Sequence, residues 1–240
     1  GGDGMSVLTA ITAQNTVGVR DVHDLPPAFV AAQLDAVLED LGVDAIKTGM
    51  LSTAGIIVTV ADRLEAHGIV PGGVAAVPIV VDPVMVATSG DPLLREDART
   101  ALLERMVPLA TVLTPNLPEA RALSGVVIDS ESSLREAGQR LYELGAAHVL
   151  VKGGHGTGPE AVDWLFDGSA WHSFRAPRIQ TSNTHGTGCT FAAALAAALG
   201  RGEPVLVAIE TAKRFLTGAI ANALPLGHGH GPVDHGWQMR

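Results

Sequence analysis

The sequence is poor in several features, and each shortage excludes a class of protein. It has one cysteine, Cys189, so no internal disulfide can form and a reducing cytoplasm is the expected location. Its 16 basic residues are outnumbered by 25 acidic ones, which argues against nucleic acid because phosphate backbones are bound through basic patches. The longest apolar stretch, residues 191–199, is far shorter than the ~20 residues that span a bilayer, and no signal-peptide pattern is visible. We therefore expect neither a membrane nor a nucleic acid as partner.

The residues that are abundant point to an enzyme built on a buried sheet. Apolar residues make up 47% of the chain, charged residues only 17%, and there are 28 glycines, which is typical of such enzymes. Short apolar runs alternate with helical patterns, which predicts a single α/β domain over 1–240 whose mostly parallel sheet carries helices on both faces. Strands are predicted at 6–13, 44–47, 78–81, 111–113 and 148–151, helices at 27–41, 54–67, 130–144, 188–199 and 204–224, and an edge hairpin at 161–166 and 171–174.

The most informative segment is His185-Gly186-Thr187-Gly188-Cys189 with the alanine-rich run that follows it. Glycines beside a helix start let backbone N–H groups converge on an anion, and the helix dipole adds positive potential there. Apolar residues spaced four apart, at 191, 195 and 199, predict that the helix is pinned to the core. We expect an anion hole rather than a plain tight turn. Cys189 would then accept a proton from a substrate hydroxyl or form a covalent intermediate, the alternative being an inert buried thiol.

Histidines near this segment and in the tail suggest other chemistry, which we consider weaker. His185 lies four positions before Cys189 along a loop and turn, so a protease-like or acyltransferase-like Cys–His pair does not follow from the spacing. His228, His230 and His235 lie in a glycine-rich tail that lacks the rigid geometry of a structural zinc site. We expect a mobile or lid-like loop there.

Polar residues also stand directly after predicted strands, where ligands of such folds collect. Asp82 precedes a proline at the end of one strand and Lys152 begins the glycine-rich segment after another. Asn116 and Glu119 occupy a strand-to-helix turn. Ordinary structural roles are open for all four: a turn, a flexible hairpin loop, a helix cap and a dipole partner. The functional alternative is a phosphate site in which Glu119 helps to hold Mg²⁺. Neither a P-loop nor a Gly-x-Gly-x-x-Gly motif after a first strand is present.

Taken together, several strings resemble the hydroxymethylpyrimidine/phosphomethylpyrimidine kinases of thiamine biosynthesis, within the ribokinase-like superfamily. They are Gly4-Met5-Ser6-Val7 running to Gln14-Asn15-Thr16, Lys47-Thr48-Gly49-Met50, Asp82-Pro83-Val84-Met85, Thr114-Pro115-Asn116 with Glu119, Lys152-Gly153-Gly154-His155, His185 to Thr190, and Gly229 to Val233. The resemblance covers almost the whole chain. It implies a ribokinase-like three-layer sandwich, a homodimer, and MgATP-dependent phosphorylation of the hydroxymethylpyrimidine and then of its monophosphate.

The resemblance also implies a role for each matching residue. Cys189 would be the base, in place of the aspartate usual in the superfamily, and the backbone N–H groups of Gly186 to Cys189, with Gly188 between them, would stabilise charge on the transferring phosphoryl group. Gln14 would bind the aminopyrimidine edge, with Met50 and Val84 packed on its ring. Asn116, Lys152 and Thr187 would contact ATP, and Glu119 and Asp82 would organise Mg²⁺.

The chain departs from this family at its start. The family usually opens with another strand and a Ser-Asp-x-Ser-Gly-Gly-Gly-like segment, whereas only two glycines precede Asp3 here. We expect a segment to be missing between Gly2 and Asp3. Two alternatives stay open on sequence: a pyridoxal kinase of the same branch, and a non-catalytic protein that binds the pyrimidine or a nucleotide.

Overall fold

The computed structural model describes residues 2–73, 76–87, 89–91, 93–95, 97–154 and 158–239. Eight strands and seven α-helices are assigned within these ranges. The strands are β1 Ala10–Gln14, β2 Val19–Asp24, β3 Ile46–Thr48, β4 Ile79–Val81, β5 Val112–Leu113, β6 Val149–Val151, β7 Glu160–Phe166 and β8 Trp171–Pro177. The helices are α1 Pro27–Asp40, α2 Ala54–Ala66, α3 Ala98–Ala101, α4 Leu117–Ser124, α5 Glu131–Glu143, α6 Thr187–Gly200 and α7 Val205–Ala221.

The main sheet has six strands in the order β3-β4-β5-β6-β7-β8. The first four run parallel, and the hairpin of β7 and β8 is added antiparallel at one edge. The predicted mostly parallel sheet with an edge hairpin is therefore confirmed. Because β3 to β6 are parallel, the residues that follow each of them meet at one edge of the sheet.

Helices cover both faces of this sheet. Successive strand residues point to opposite faces, so Val80 of β4 packs in a buried cluster with Phe191 of α6. Its neighbours Ile79 and Val81 pack in a second cluster with Ile56 of α2. The three-layer sandwich expected from the sequence is confirmed. Within the described ranges, no helix combines the length and hydrophobicity that crossing a lipid bilayer requires.

A small second sheet near the N-terminus corrects one expectation. The strand predicted at 6–13 lies at Ala10–Gln14, and it pairs antiparallel with β2, which the sequence analysis missed. In Val19–Asp24 the only valines are three residues apart, so the alternation of period two that identifies a half-buried strand is absent. The helical segment that begins at Ala98 and continues to Leu109 was also not predicted.

Candidate active site

A buried ion pair joins the ends of two parallel strands. Asp82 directly follows β4 and is 2% exposed, and Lys152 directly follows β6. Lys152 Nζ lies 2.7 Å from Asp82 Oδ1, and the hydroxyl of Thr114 donates to the same oxygen at 3.2 Å. A carboxylate with so little access to water requires a counter-charge and hydrogen-bond donors, and these two residues supply both.

The start of α6 faces this pair. A methyl group added to Gly188 would lie 3.4 Å from Lys152 Nζ and 3.6 Å from Asp82 Oδ2. Gly186 caps the helix with a φ of +83°, a left-handed conformation that glycine adopts without strain. The N–H of Thr187 turns back to the carbonyl of Thr184 at 3.3 Å. The backbone N–H groups of a first helical turn have no intrahelical acceptors, so this end of α6 presents donors and positive potential beside the pair.

Cys189 is the third residue of α6 and its side chain is exposed. Phe191 and Leu195 of the same helix are buried, at 1% and 0% exposure, so the predicted pinning of α6 to the core is present. This fixes the direction of the first turn relative to the sheet. The inert buried thiol considered for Cys189 is excluded, because the thiol is open to solvent.

The charges at the site act on one another. Burial alone would lower the pKa of Lys152, but the charges of Asp82 and Glu119, the hydrogen bond to Asp82 and a smaller effect of Cys189 outweigh it, and the pKa is raised. Lys152 therefore keeps its positive charge despite its burial. That charge sits where an anionic ligand would approach the start of α6.

Glu119 and Asn116 form a reciprocal helix cap on α4. Asn116 Oδ1 accepts the Glu119 N–H at 2.9 Å, and Glu119 Oε2 accepts the Asn116 N–H at 2.8 Å. The structural role considered for both residues is thus present. Glu119 is only 6% exposed, and burial raises its pKa to about 7, although the charge of Lys152 and the N–H groups of Asn116 and Met85 act in the opposite direction.

The donor set at this edge suits a magnesium–nucleotide complex. Mg²⁺ prefers carboxylate oxygens and is usually held by one or two carboxylates together with waters and substrate phosphates. Asp82 and Glu119 are two carboxylates at this edge, and the charge of Asp82 is close enough to raise the pKa of Glu119. Lys152 and the N-terminal turn of α6 add the positive potential that phosphates need.

The three predicted substrate residues, Gln14, Met50 and Val84, do not converge as clearly as Asp82, Lys152 and the start of α6 do. Val84 lies two residues beyond Asp82, and its N–H donates to the Asp82 carbonyl at 2.8 Å. Met50 follows β3, and its carbonyl accepts the Thr9 hydroxyl at 2.7 Å. Gln14 lies in the small sheet, where Thr12 donates to its Oε1 at 3.4 Å. Within the described part of the chain, no hydrogen bond joins Gln14 to the other two.

A cleft of about 560 Å³ opens beside Met50. Its lining includes the apolar side chains of Val22, Met50 and Met85 and the buried hydroxyl of Ser52. Gln14 and Val84 are not among the lining residues. The cleft therefore brings one of the three predicted substrate residues to a cavity, and the substrate-binding assignment stays a prediction.

The glycine-rich tail is held down in this structure, contrary to the expected mobile loop. The N–H of His230 donates to the Thr16 carbonyl at 2.8 Å, and the N–H of His185 donates to the Gly231 carbonyl at 3.0 Å. The His235 ring lies 2.8 Å from the Thr190 hydroxyl. Among the described residues, the one acidic–histidine group with metal-binding geometry is elsewhere, on α1 and at the end of α2. His155, part of the string that follows Lys152, lies outside the described residues.

Two kinds of residue at the site were missed on sequence. Thr114 stands in the Thr-Pro-Asn string, and its place directly after β5 is the signal that would have marked it as a site residue. Asp163 and Arg178 contact the segment after Lys152. The hairpin of β7 and β8 is predicted from the sequence, but these contacts are not. They arise from how the hairpin packs against the segment after Lys152, and local sequence patterns carry no signal for that packing.

With this geometry established, comparison with known proteins identifies the family. The phosphomethylpyrimidine kinase family matches residues 1–234. The chain belongs to this family. The kinase predicted from the sequence, a phosphotransferase that uses ATP, is confirmed.

Curated relatives of this kinase family agree over the whole chain. The thiamine biosynthesis bifunctional protein ThiED of Geobacter sulfurreducens is 54% identical over 98% of this chain, which spans only 46% of that longer protein. A hydroxymethylpyrimidine/phosphomethylpyrimidine kinase of Streptomyces coelicolor is 49% identical over 100% of this chain and 86% of its own length.

A solved structure shows the same fold in a related kinase. The pyridoxal kinase of Staphylococcus aureus, in complex with AMP-PCP and pyridoxal, is 37% identical and superposes with a TM-score of 0.86. The match covers 98% of this chain and 82% of that one. The ribokinase-like architecture is thus shared with a kinase that takes a different ring substrate.

Proposed function

We propose that this kinase transfers a phosphoryl group from ATP to the hydroxymethyl group of hydroxymethylpyrimidine, and then phosphorylates the resulting monophosphate to the diphosphate. The observation that carries the proposal is the convergence of the α6 start, Lys152 and Asp82, since a methyl group added to Gly188 would lie only 3.4 Å from the lysine nitrogen. That arrangement accommodates a polyphosphate in a family whose relatives are named for this reaction.

Phosphoryl transfer needs positioning and charge stabilisation more than covalent chemistry. In the proposed reaction Cys189 accepts the proton of the substrate hydroxyl, and the hydroxyl oxygen attacks the γ-phosphorus of ATP. The bond between the γ-phosphorus and the β,γ-bridging oxygen breaks, and ADP leaves with that oxygen. The first-turn N–H groups from Gly186 to Cys189 stabilise the charge that develops on the transferring group. Lys152 holds the ATP phosphates, with Asn116 and Thr187 at the edge of the same nucleotide site.

We assign the metal role to Asp82 and Glu119. Bound Mg²⁺ supplies neutralisation of phosphate charge at this point of the site. Asp82 contributes the carboxylate oxygen on the side of Gly188, while its other oxygen stays with Lys152 and Thr114. Glu119 contributes its charge when it is deprotonated, and its pKa of about 7 makes this contribution dependent on pH near neutrality.

A pyridoxal kinase activity is the second candidate, and the structural neighbour complexed with pyridoxal favours it. Pyridoxal also carries a ring and a hydroxymethyl group. The pyrimidine is preferred because the curated kinase relative is 49% identical, against 37% for the solved pyridoxal kinase. Gln14, Met50 and Val84 are the residues to which we assign ring recognition.

The decisive assay is release of ADP from MgATP with hydroxymethylpyrimidine and pyridoxal in parallel. Turnover with the pyrimidine that continues to a second equivalent of ADP is expected. Turnover mainly with pyridoxal would replace the first candidate by the second, and binding of the pyrimidine without ADP release would indicate a binding protein.

The base assignment is tested by Cys189→Ala. Because general bases contribute roughly 10²–10⁴-fold, kcat is expected to fall within that range while the affinity for AMP-PCP is kept. Cys189→Ser serves as the matched control for side-chain volume. Full activity of the alanine variant would exclude Cys189 as the base.

We also infer a homodimer formed through the small β1–β2 sheet. Leu8, Ile11 and Val17 on and beside this sheet are 51%, 54% and 64% exposed, and exposed apolar surface favours association where it forms a patch. Light scattering on the native chain and on Ile11→Asp tests this, with a monomer expected only for the variant. The cytoplasmic location stays a prediction from the lone cysteine.

A further inference from the structure

The turn that follows Lys152 is built against the β7–β8 hairpin. The N–H of Gly153 donates to Asp163 Oδ1 of β7 at 2.8 Å. A side chain at Gly153 would overlap the carbonyl group of Val162, so only glycine permits this approach. Lys152 itself donates its N–H to the Pro115 carbonyl at 2.8 Å. The backbone at Lys152 and Gly153 is therefore fixed from two neighbouring strands.

Arg178 directly follows β8. Its guanidinium binds the backbone carbonyl groups of the same segment. Its guanidinium donates to Gly154 O at 2.6 Å, Gly158 O at 2.7 Å, Glu160 O at 3.0 Å and Gly153 O at 3.3 Å. A planar guanidinium presents its donors in a rigid fork, so four carbonyls bound at once define the course of the backbone on both sides of residues 155–157.

A buried ion pair supports the Asp163 contact from behind. Asp163 is 6% exposed and Lys213 of α7 is 8% exposed, and Lys213 Nζ lies 2.6 Å from Asp163 Oδ2. A buried carboxylate is tolerated when it is paired and hydrogen-bonded. One oxygen of Asp163 is used by Lys213, and the other is left for Gly153.

We propose that Asp163, Lys213 and Arg178 are positioning residues for phosphoryl transfer. They act on Lys152 through the backbone of Gly153 and Gly154, and their described contacts do not include Asp82 or Gly188. This inference rests on the proposed function, since it assigns Lys152 to the phosphates of ATP. It places the effect on the nucleotide and not on the pyrimidine.

Two double variants isolate the bond to Gly153. In Asp163→Asn/Lys213→Met the charges are removed together, and the asparagine oxygen still accepts the Gly153 N–H. In Asp163→Leu/Lys213→Met a side chain of similar size cannot accept it. A hydrogen bond from a buried N–H is worth about tenfold in an equilibrium constant, and this value is the upper limit for its effect on nucleotide affinity. We therefore expect the leucine variant to bind MgAMP-PCP more weakly than the asparagine variant, by up to about tenfold.

The kinetic constants separate positioning from mere stability. The KM for MgATP is expected to rise, by up to about tenfold, in the leucine variant relative to the asparagine variant, while the KM for the pyrimidine stays unchanged. Equal nucleotide constants for the two variants, with only their unfolding midpoints differing, would overturn the proposal.

Arg178→Gln tests the hydrogen bonds from Arg178 to the backbone carbonyls. This variant decides whether the segment after Lys152 positions that lysine if a double variant does not fold. Arg175→Gln is its control, because Arg175 is an exposed residue of β8 that pairs with Glu160 instead. We expect weaker MgAMP-PCP binding in the Arg178 variant alone; equal affinities in both variants would refute the role of Arg178. If the native chain releases no ADP with the pyrimidine, the proposed function fails, and the MgAMP-PCP titrations still decide the positioning role.

Discussion

The buried carboxyl group of Glu119 allows a quantitative test of the site by Glu119→Gln. Glutamine keeps an oxygen that accepts the Asn116 N–H, so the helix cap is preserved. The substitution removes the titratable proton and replaces the second carboxylate oxygen by an NH₂ group. In the native protein the pKa of this group is raised from 4.5 to about 7, so the folded state holds the proton more tightly than the unfolded chain does.

The direction in which pH changes the free energy of unfolding follows from proton linkage. Between pH 4.5 and 7 the folded state binds more protons than the unfolded state, so the free energy of unfolding falls as pH rises. A shift from 4.5 to about 7 corresponds to about 3 kcal/mol when each pKa unit is worth about 1.4 kcal/mol. Relative to the native protein, the glutamine variant is therefore expected to gain roughly 2–3 kcal/mol between pH 5 and pH 8.

Urea unfolding of both proteins at intervals from pH 5 to pH 8, in the presence of a chelator, measures this difference. Other groups cancel in the comparison, and Glu143→Gln, at an exposed position of α5, is the matched control for the exchange of glutamate for glutamine. Added Mg²⁺ is expected to stabilise the native protein more at pH 8 than at pH 6, and to stabilise the glutamine variant less at both. A difference in the free energy of unfolding between the two proteins that stays constant across the pH range would refute the burial argument. The same stabilisation of both proteins by Mg²⁺ would exclude the metal role of Glu119.

Three further substitutions probe the nucleotide side. Gly188→Ala meets no atom closer than 3.4 Å, so the unfolding midpoint is expected to hold while the KM for MgATP rises at least severalfold; unchanged kinetics would show that phosphate does not approach there. Gly186→Ala forces a side chain into a φ of +83°, and a loss of about 1–2 kcal/mol in the free energy of unfolding is expected, measurable by thermal melting. Lys152→Met leaves Asp82 buried without its counter-charge, and a loss of about 3–5 kcal/mol is expected at pH 8. Urea unfolding measures this loss, and an unchanged free energy of unfolding would contradict the ion-pair argument.

The sequence by itself determined the sheet class and most of the strands that carry the site. Continuous apolar runs such as 79–81 and 149–151 are typical of strands buried between two layers of helices, which makes the parallel sheet predictable. The glycine turn and its cysteine could also be predicted from the sequence. Gly186 adopts a left-handed φ, which favours glycine, and the apolar residues that follow recur at helical spacing.

Tertiary structure alone decided the rest. Strand β2 has no hydrophobic alternation and forms only because β1 lies beside it. The raised pKa of Glu119 depends on burial by distant segments. The contact of Asp163 with Gly153 joins residues that are ten positions apart in the chain. Local patterns record propensity and periodicity, whereas burial, charge coupling and contacts between loops arise only when separate strands end at the same edge of the sheet.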